Sequence, residues 1–442
     1  MLRVILGIGV ALLIGCKSDS SVRKALEAKS GEIQLGGGEV TLSAPLVIEG
    51  ADNLTVIGMG TQFRVDFEGE AAIVIRKSKN IRIENVSITG NREKKEHVFG
   101  LPPSDVPMVK FNRGNGIVID DSDNVSVVKS TVRLVQGYGI LASNSRKVTV
   151  EEVLVGDSGS LNDKGKNNAT GGILFEEGCR DFVVRRSKVR NVRGNGIWTH
   201  SLYRSPRNEQ GLFAENDVRY VSRDGIQVGH AVDVKVTNNT GGFIGFPSEQ
   251  VDLATFAVPV ALDTAGNVEK TVYAANKFEE VNGKCIDLDG FHHGSVEKNE
   301  CRNARGDEAY PHLHFAIVLN NSNPDMESRE IQMVGNRMQG FRYGAVFLIG
   351  EGHTVKDNLF TRMNLAHCGD APKGVCTYKA EEPEMLRSGI YFGLGAHRPS
   401  PARKNVVEGN TVHGFGMSTR CVGYAPGIKP ADNTFRGNAC AE

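Results

Sequence analysis

A short phrase centred on glycine and isoleucine recurs along most of the chain, and no other feature restricts the fold as tightly. It reads Arg113-Gly-Asn-Gly-Ile117, Gly137-Tyr-Gly-Ile140, Gly171-Gly-Ile173, Arg193-Gly-Asn-Gly-Ile197, Asp224-Gly-Ile226, Cys285-Ile286, Ala316-Ile317, Gly344-Ala345 and Gly389-Ile390. Alternation follows each phrase, as in Ile117-Val-Ile119, Ile226-Gln-Val228 and Ile286-Asp-Leu288, and a period of two marks a strand. Further short strands begin at Asn124, Lys147, Asp181 and Asp233, and Asn299, Asn336, Asn358 and Asn410 punctuate equivalent turns. The first four spacings are 23, 33, 24 and 29 residues. Ile226 and Ile286 stand 60 apart, room for two turns with Val260-Ala-Leu262 as the intervening strand.

Short strands in units of about two dozen residues, with Gly and Asn at the bends, predict a solenoid. The length of 442 residues agrees, because one globular core rarely grows past about 250–300 residues whereas a stack extends along one axis. A propeller needs four antiparallel strands in each 40–45 residues or so, with hairpin turns, and the spacing here is shorter. The pattern resembles the right-handed parallel β-helix of the pectate-lyase-like superfamily over roughly residues 31–438. The resemblance implies an all-β solenoid, with Ala25-Leu-Glu-Ala-Lys-Ser-Gly31 and the apolar runs after it as a short N-terminal capping helix and first coils. Expected divisions are 1–15 as a signal peptide, 16–30 as anchor and cap, and 31–442 as the β-helix.

If each phrase isoleucine points into the lumen, residues two further on do too, and residues one and three further on form two columns facing solvent. The first column reads Val118, Leu141, Leu174, Trp198, Gln227, Ala261, Asp287, Val318 and Val346. The second reads Asp120, Ser143, Glu176, His200, Gly229, Asp263, Asp289, Asn320 and Leu348. Both are bland except in the middle turns, where Trp198, His200, Gln227, Asp263, Asp287 and Asp289 gather. Like charges on strands about 4.8 Å apart raise one another's pKa, so compensation is expected from Arg223, Lys284, nearby histidines or bound calcium. Insertions at 91–112, 157–170, 201–211, 321–329, 364–387 and 396–403 would wall these columns into a groove suited to an extended polymer.

Paired carboxylates across a glycosidic bond can hydrolyse it. Asp263, Asp287, Asp289, His200 and Asp224 are therefore the candidate catalytic residues, with Trp198, Gln227, Arg223, His292 and His293 as candidate substrate contacts. Asp287-Leu-Asp-Gly-Phe-His-His-Gly294 is similar to the Asp pair and Gly-His-Gly of polygalacturonases, although that family's Asn-Thr-Asp and Arg-Ile-Lys elements are absent. Two other readings stay open. One is β-elimination or C5 epimerisation of a uronate polymer, with His200 or His230 as base and Arg223 or calcium as neutraliser. The other is glycan binding or a structural surface role without catalysis.

The N-terminus predicts export. Met-Leu-Arg precedes an apolar run from Val4 to Ile14, too short to span a bilayer and suited to a secretory signal. Leu13-Ile14-Gly15-Cys16 resembles a bacterial lipobox, which implies lipidation of Cys16 and an envelope-anchored lipoprotein; a monomer is expected. Export permits disulfides among the seven remaining cysteines, and Cys368 with Cys376 and Cys421 with Cys440 bracket short segments. The 52 Lys+Arg balance 52 Asp+Glu, which argues against a nucleic-acid partner held by counterion release.

Overall fold

The computed structural model describes residues 11–14, 18–92, 101–322, 326–369, 376, 382–395 and 398–442. Cys16 and the rest of the lipobox after Ile14 lie outside them. Every strand pairing in the stack is parallel, and each strand pairs with its counterpart one turn on, as Ile117 with Ile140, Ile173 with Ile197 and Ile286 with Ile317. Each turn contributes a strand to each of three faces. The third face is a 14-stranded sheet, and the first two merge into one larger sheet because Ile226–Thr237 and Val260–Glu269 run unbroken around the bend between them.

Alternation fills the interior. Ile117, Ile119, Ile140, Ile197, Ile226, Val228, Ile286 and Leu288 are all fully buried in one continuous apolar stack. Each such side chain removed from water contributes about 1.5–3 kcal/mol, and the stack grows with every turn added. The helix Asp19–Leu26 lies beside the first coils, capped by Ser18 and burying Val22 and Ala25. Residues Ala11–Ile14 pair with Glu32–Leu35.

The two punctuation patterns do different jobs. Asn124, Lys147, Asp181 and Asp233 have φ near +55° and turn the chain from the first face to the second, a conformation Asn and Asp tolerate better than most residues. Asn216, Asn239, Asn276, Asn299, Asn336, Asn358, Asn410 and Asn438 instead form a ladder between the second and third faces. Each side-chain Nδ2 donates to Oδ1 of the next at 2.8–3.1 Å, and also to a backbone carbonyl, as Asn299 does to Tyr273. Buried amides are thereby satisfied in a position that no regular strand covers.

Disulfides join Cys285 to Cys301, Cys368 to Cys376 and Cys421 to Cys440. The two bracketing pairs expected from sequence are therefore present. Cys179 is a free buried thiol.

Candidate active site

The outward columns do not face solvent along most of their length, contrary to the sequence expectation. Val118, Leu141, Leu174 and Trp198 form a second apolar cluster with Ala71, Val74, Met108, Tyr138 and Ala169. Residues of the 101–112 and 157–170 insertions lie over it. The 101–112 segment is fastened by Glu176, which accepts from the backbone N–H groups of Met108 at 2.9 Å and Val109 at 2.7 Å. Burial pushes the Glu176 carboxyl up to about 8, although those two N–H groups pull the other way.

Where this cover stops, acidic residues replace the apolar ones. Gln227 pairs with Asp263 and Asp263 with Asp287 across successive strands, so these three follow Trp198 in the first column. This corrects two register assignments. The inward residue of the Val260–Glu269 strand is Leu262, aligned with Ile226 and Ile286, which moves Asp263 from the second column to the first. Further on, Val346 aligns with Ile317 and points inward, which leaves Phe347 in the outer column.

Asp263, Asp287, Asp224 and Asp289 line one cleft of about 480 Å3 together with Arg223, Gln227, Lys284 and His314. Its walls come from Ala257 and Val258, from Ser322 and from Met385 and Leu386. Asp287 forms an ion pair with Lys284 through Oδ2, and its Oδ1 is buried without a hydrogen-bond partner. Gln227 donates to Asp263 and is itself held by Asn195 at 2.7 Å. Asp224 accepts from the Val260 N–H at 3.0 Å and lies 3.3 Å from Arg223 Nε. Ser322 donates to Asp289 through both its hydroxyl and its N–H.

The electrostatics follow from burial and crowding. Asp263 is raised well above the usual carboxylate range, first by burial and then by the charges of Asp224 and Asp287. Burial also lifts Asp224 to about 6 against the pull of Arg223. Asp289 is raised by burial and by Asp287, with Ser322 opposing. Burial disfavours the Lys284 ammonium, yet the neighbouring carboxylates, Asp287 foremost, raise its pKa overall. Lys284 thus supplies, from within the strand, the compensating charge that the sequence demanded.

A second cleft of about 360 Å3 shares Arg223, Gln227 and Ala265 with the first and continues past Trp198, His200, Tyr203, His230 and Phe256. The Arg223 guanidinium lies 4.0 Å from the Phe256 ring centre and 5.5 Å from that of Trp198. Burial, His230 and Arg223 together push His200 down to about 4, and its Nδ1 has no partner.

Residues 46–241 match the family model described as a right handed beta helix region. The chain is a right-handed parallel β-helix protein. Among solved structures, the Dettilon tailspike protein (gp208) superposes with a TM-score of 0.55 at 14% identity, covering 97% of this chain and 69% of its own. PfbA, a surface adhesin of Streptococcus pneumoniae, gives 0.53 at 12% identity over 78% and 87%. A GH136 lacto-N-biosidase from Eubacterium ramulus gives 0.50 at 14% identity over 90% and 64%. No curated protein sequence matches the chain. At these identities the likeness carries the β-helix fold alone.

Within this β-helix the structure brings together Asp224, Asp263, Asp287, Asp289, Arg223 and Gln227, and puts His200 and Trp198 in the adjoining cleft. Trp198, expected to face solvent, is only 6% exposed, whereas Tyr203 in the same cleft is 53% exposed. His292 and His293 stand apart. At Gly290, with φ +70° and the Gly266 carbonyl where a Cβ would sit, the chain leaves the first face. His292 then bonds to His293 and Asn267, and His293 to Glu330. Sequence reasoning placed Lys284 only among the compensators, with His314 one of the nearby histidines, and missed the 245–259 wall, whose one signal was the long gap between Ile226 and Ile286.

Proposed function

We propose that this protein hydrolyses glycosidic bonds of a polysaccharide, with Asp263 as general acid and Asp287 as base or nucleophile. The observation that supports this most is the unequal pair itself. Burial and the neighbouring carboxylates push Asp263 well above the usual carboxylate range, while its strand neighbour Asp287 is ion-paired to Lys284. Two carboxyl groups in such unequal surroundings suit acid–base cleavage of an acetal. Asp263 would protonate the leaving oxygen as the C–O bond breaks, and Asp287 would either bond to the anomeric carbon, to be displaced later by water, or deprotonate the attacking water. The charge of Asp224 adds to the crowding that raises Asp263.

The uronate lyase or epimerase reading would place His200 as base and Arg223 as neutraliser. Burial favours the neutral, basic form of His200, but Arg223 is already engaged by Asp224 and two aromatic rings. New reducing ends on a polysaccharide panel, without the ultraviolet absorbance of unsaturated uronates, support hydrolysis. That absorbance would overturn it, and binding without turnover would leave a lectin-like role.

We also propose export and lipid anchoring through Cys16, which places the chain in the cell envelope. Three disulfides suit an oxidising compartment. Metabolic labelling with a fatty acid tests it, because Cys16→Ser should abolish the label.

A further inference from the structure

We propose that the groove takes a neutral glycan, one whose sugars carry no carboxylate or sulfate, and discriminates against polyuronates. This deepens the hydrolase reading and rests on the same site.

The first argument is charge. Among the described residues lining the two adjoining clefts, Arg223 and Lys284 are the only lysine or arginine, against the carboxylates Asp224, Asp263, Asp287 and Asp289. Each cation is already committed, Arg223 to Asp224 and Lys284 to Asp287. Four carboxyl groups thus stand against two cations in this lining. A uronate polymer would bring one more carboxylate per residue into this low-dielectric floor, where like charges repel far more strongly than in water. A carboxylate ligand is bound most strongly by a charged donor, and among the described residues lining these clefts both cations are already paired.

The second argument is the neutral polar and aromatic lining. Trp198 Nε1, Asp287 Oδ1, His200 Nδ1 and His314 Nδ1 are buried side-chain atoms without partners, and all four residues line the clefts. His314 is held neutral, with burial and Lys284 bringing it down to about 3. These atoms are closed off from solvent, so a ligand meets instead the neutral polar side chains that line the first cleft, Thr264, Asn320 and Ser322, which can both donate and accept. A sugar hydroxyl does both. The exposed ring of Tyr203, with the half-buried Phe256 in the same cleft, suits the C–H faces of uncharged pyranose rings.

The full chain would be tested by ligand-observed NMR and reducing-end release on matched probes. These are polygalacturonate and alginate, their carboxyl-reduced forms, and neutral gluco-, manno-, xylo- and galacto-oligosaccharides. At least one neutral probe should bind, no uronate should match its affinity, and any weak uronate binding should strengthen as added salt screens the repulsion. Tyr203→Ala, at a side chain 53% exposed and thus compatible with folding, should weaken the neutral ligand about tenfold. Uronate binding as tight as the best neutral probe, or no neutral binder in the panel, would overturn the proposal. Neutral binding without turnover would sink the hydrolase reading and leave this one standing, whereas hydrolysis of uronates alone would do the reverse.

Discussion

Asp263 and Asp287 are direct partners in the parallel pairing of Val260–Glu269 with Lys284–Asp289, so two carboxyl groups stand side by side on neighbouring strands. Strand spacing sets their backbones about 4.8 Å apart, and carboxyl groups that keep that spacing would stand nearer the 5–5.5 Å or so of retaining glycosidases than the roughly 6.5–9.5 Å of inverting ones. The first-formed product should therefore keep the substrate's anomeric configuration, as read by NMR during turnover. Asp263→Asn and Asp287→Asn should each lower turnover by about 10²–10⁴. An inverted product would transfer the second role to Asp289 or Asp224.

Lys284 is the counter-charge on which Asp287 depends. Lys284→Met leaves a buried carboxylate unpaired and should cost about 3–5 kcal/mol in denaturant unfolding. Adding Asp287→Leu should recover most of that loss, since the unpaired charge goes with it. Because the compensating charge is a side chain, chelation with EDTA should leave hydrolysis intact.

The pH dependence of stability carries the mark of Asp224. Its folded pKa of about 6 lies above the ordinary 3.8, so the folded state binds the proton more tightly than the unfolded chain does. Its favourable contribution is fully present below pH of about 4 and is lost as pH rises through about 6. Relative to Asp224→Asn, the wild type should lose about 3 kcal/mol between those limits, at about 1.4 kcal/mol per pH unit. Parallel denaturation curves at several pH values would reveal it, and a flat difference would contradict it.

The asparagine ladder should respond to position. Asn299→Ala strips partners from the Tyr273 carbonyl, the Asn276 N–H and side chain, and Asn336. At about 1–3 kcal/mol for each buried group left unmet, it should be among the most damaging single changes in the coil. Asn438→Ala, at the exposed end of the same ladder, should cost less than about 1.5 kcal/mol, and thermal melts of the two variants give the comparison.

The Cys285–Cys301 link closes a segment of 16 residues that includes the acidic strand. Removing both thiols as Cys285→Ala/Cys301→Ala should lower stability by about 3 kcal/mol, measured against the untreated wild type. Reduction of the wild type under native conditions should give a comparable drop.

Much of the interior was legible because a strand's alternation is a local property. Ile117, Ile197, Ile226 and Ile286 could be assigned inward from their neighbours alone. Register was harder. Val260-Ala-Leu262 has the look of the phrase two residues too early, and only pairing with Ile226 and Ile286 identifies Leu262 as the inward residue. The covering of Val118, Leu141 and Trp198 was invisible because strand alternation does not say that Met108 and Ala169, in the insertions before two phrases, fold back over this face. His292 and His293, close to Asp289 in sequence, belong elsewhere because one bend at Gly290 sends the chain to another face. Nothing within the octapeptide announces that departure.

One strand, Lys284–Asp289, writes two texts at once. Ile286 and Leu288 hold the tower together, while Asp287 and Asp289 on the strand's other side line the cleft. Because the two sets face opposite ways, the cleft side can change without opening the apolar stack, provided a buried pair such as Lys284 with Asp287 changes together.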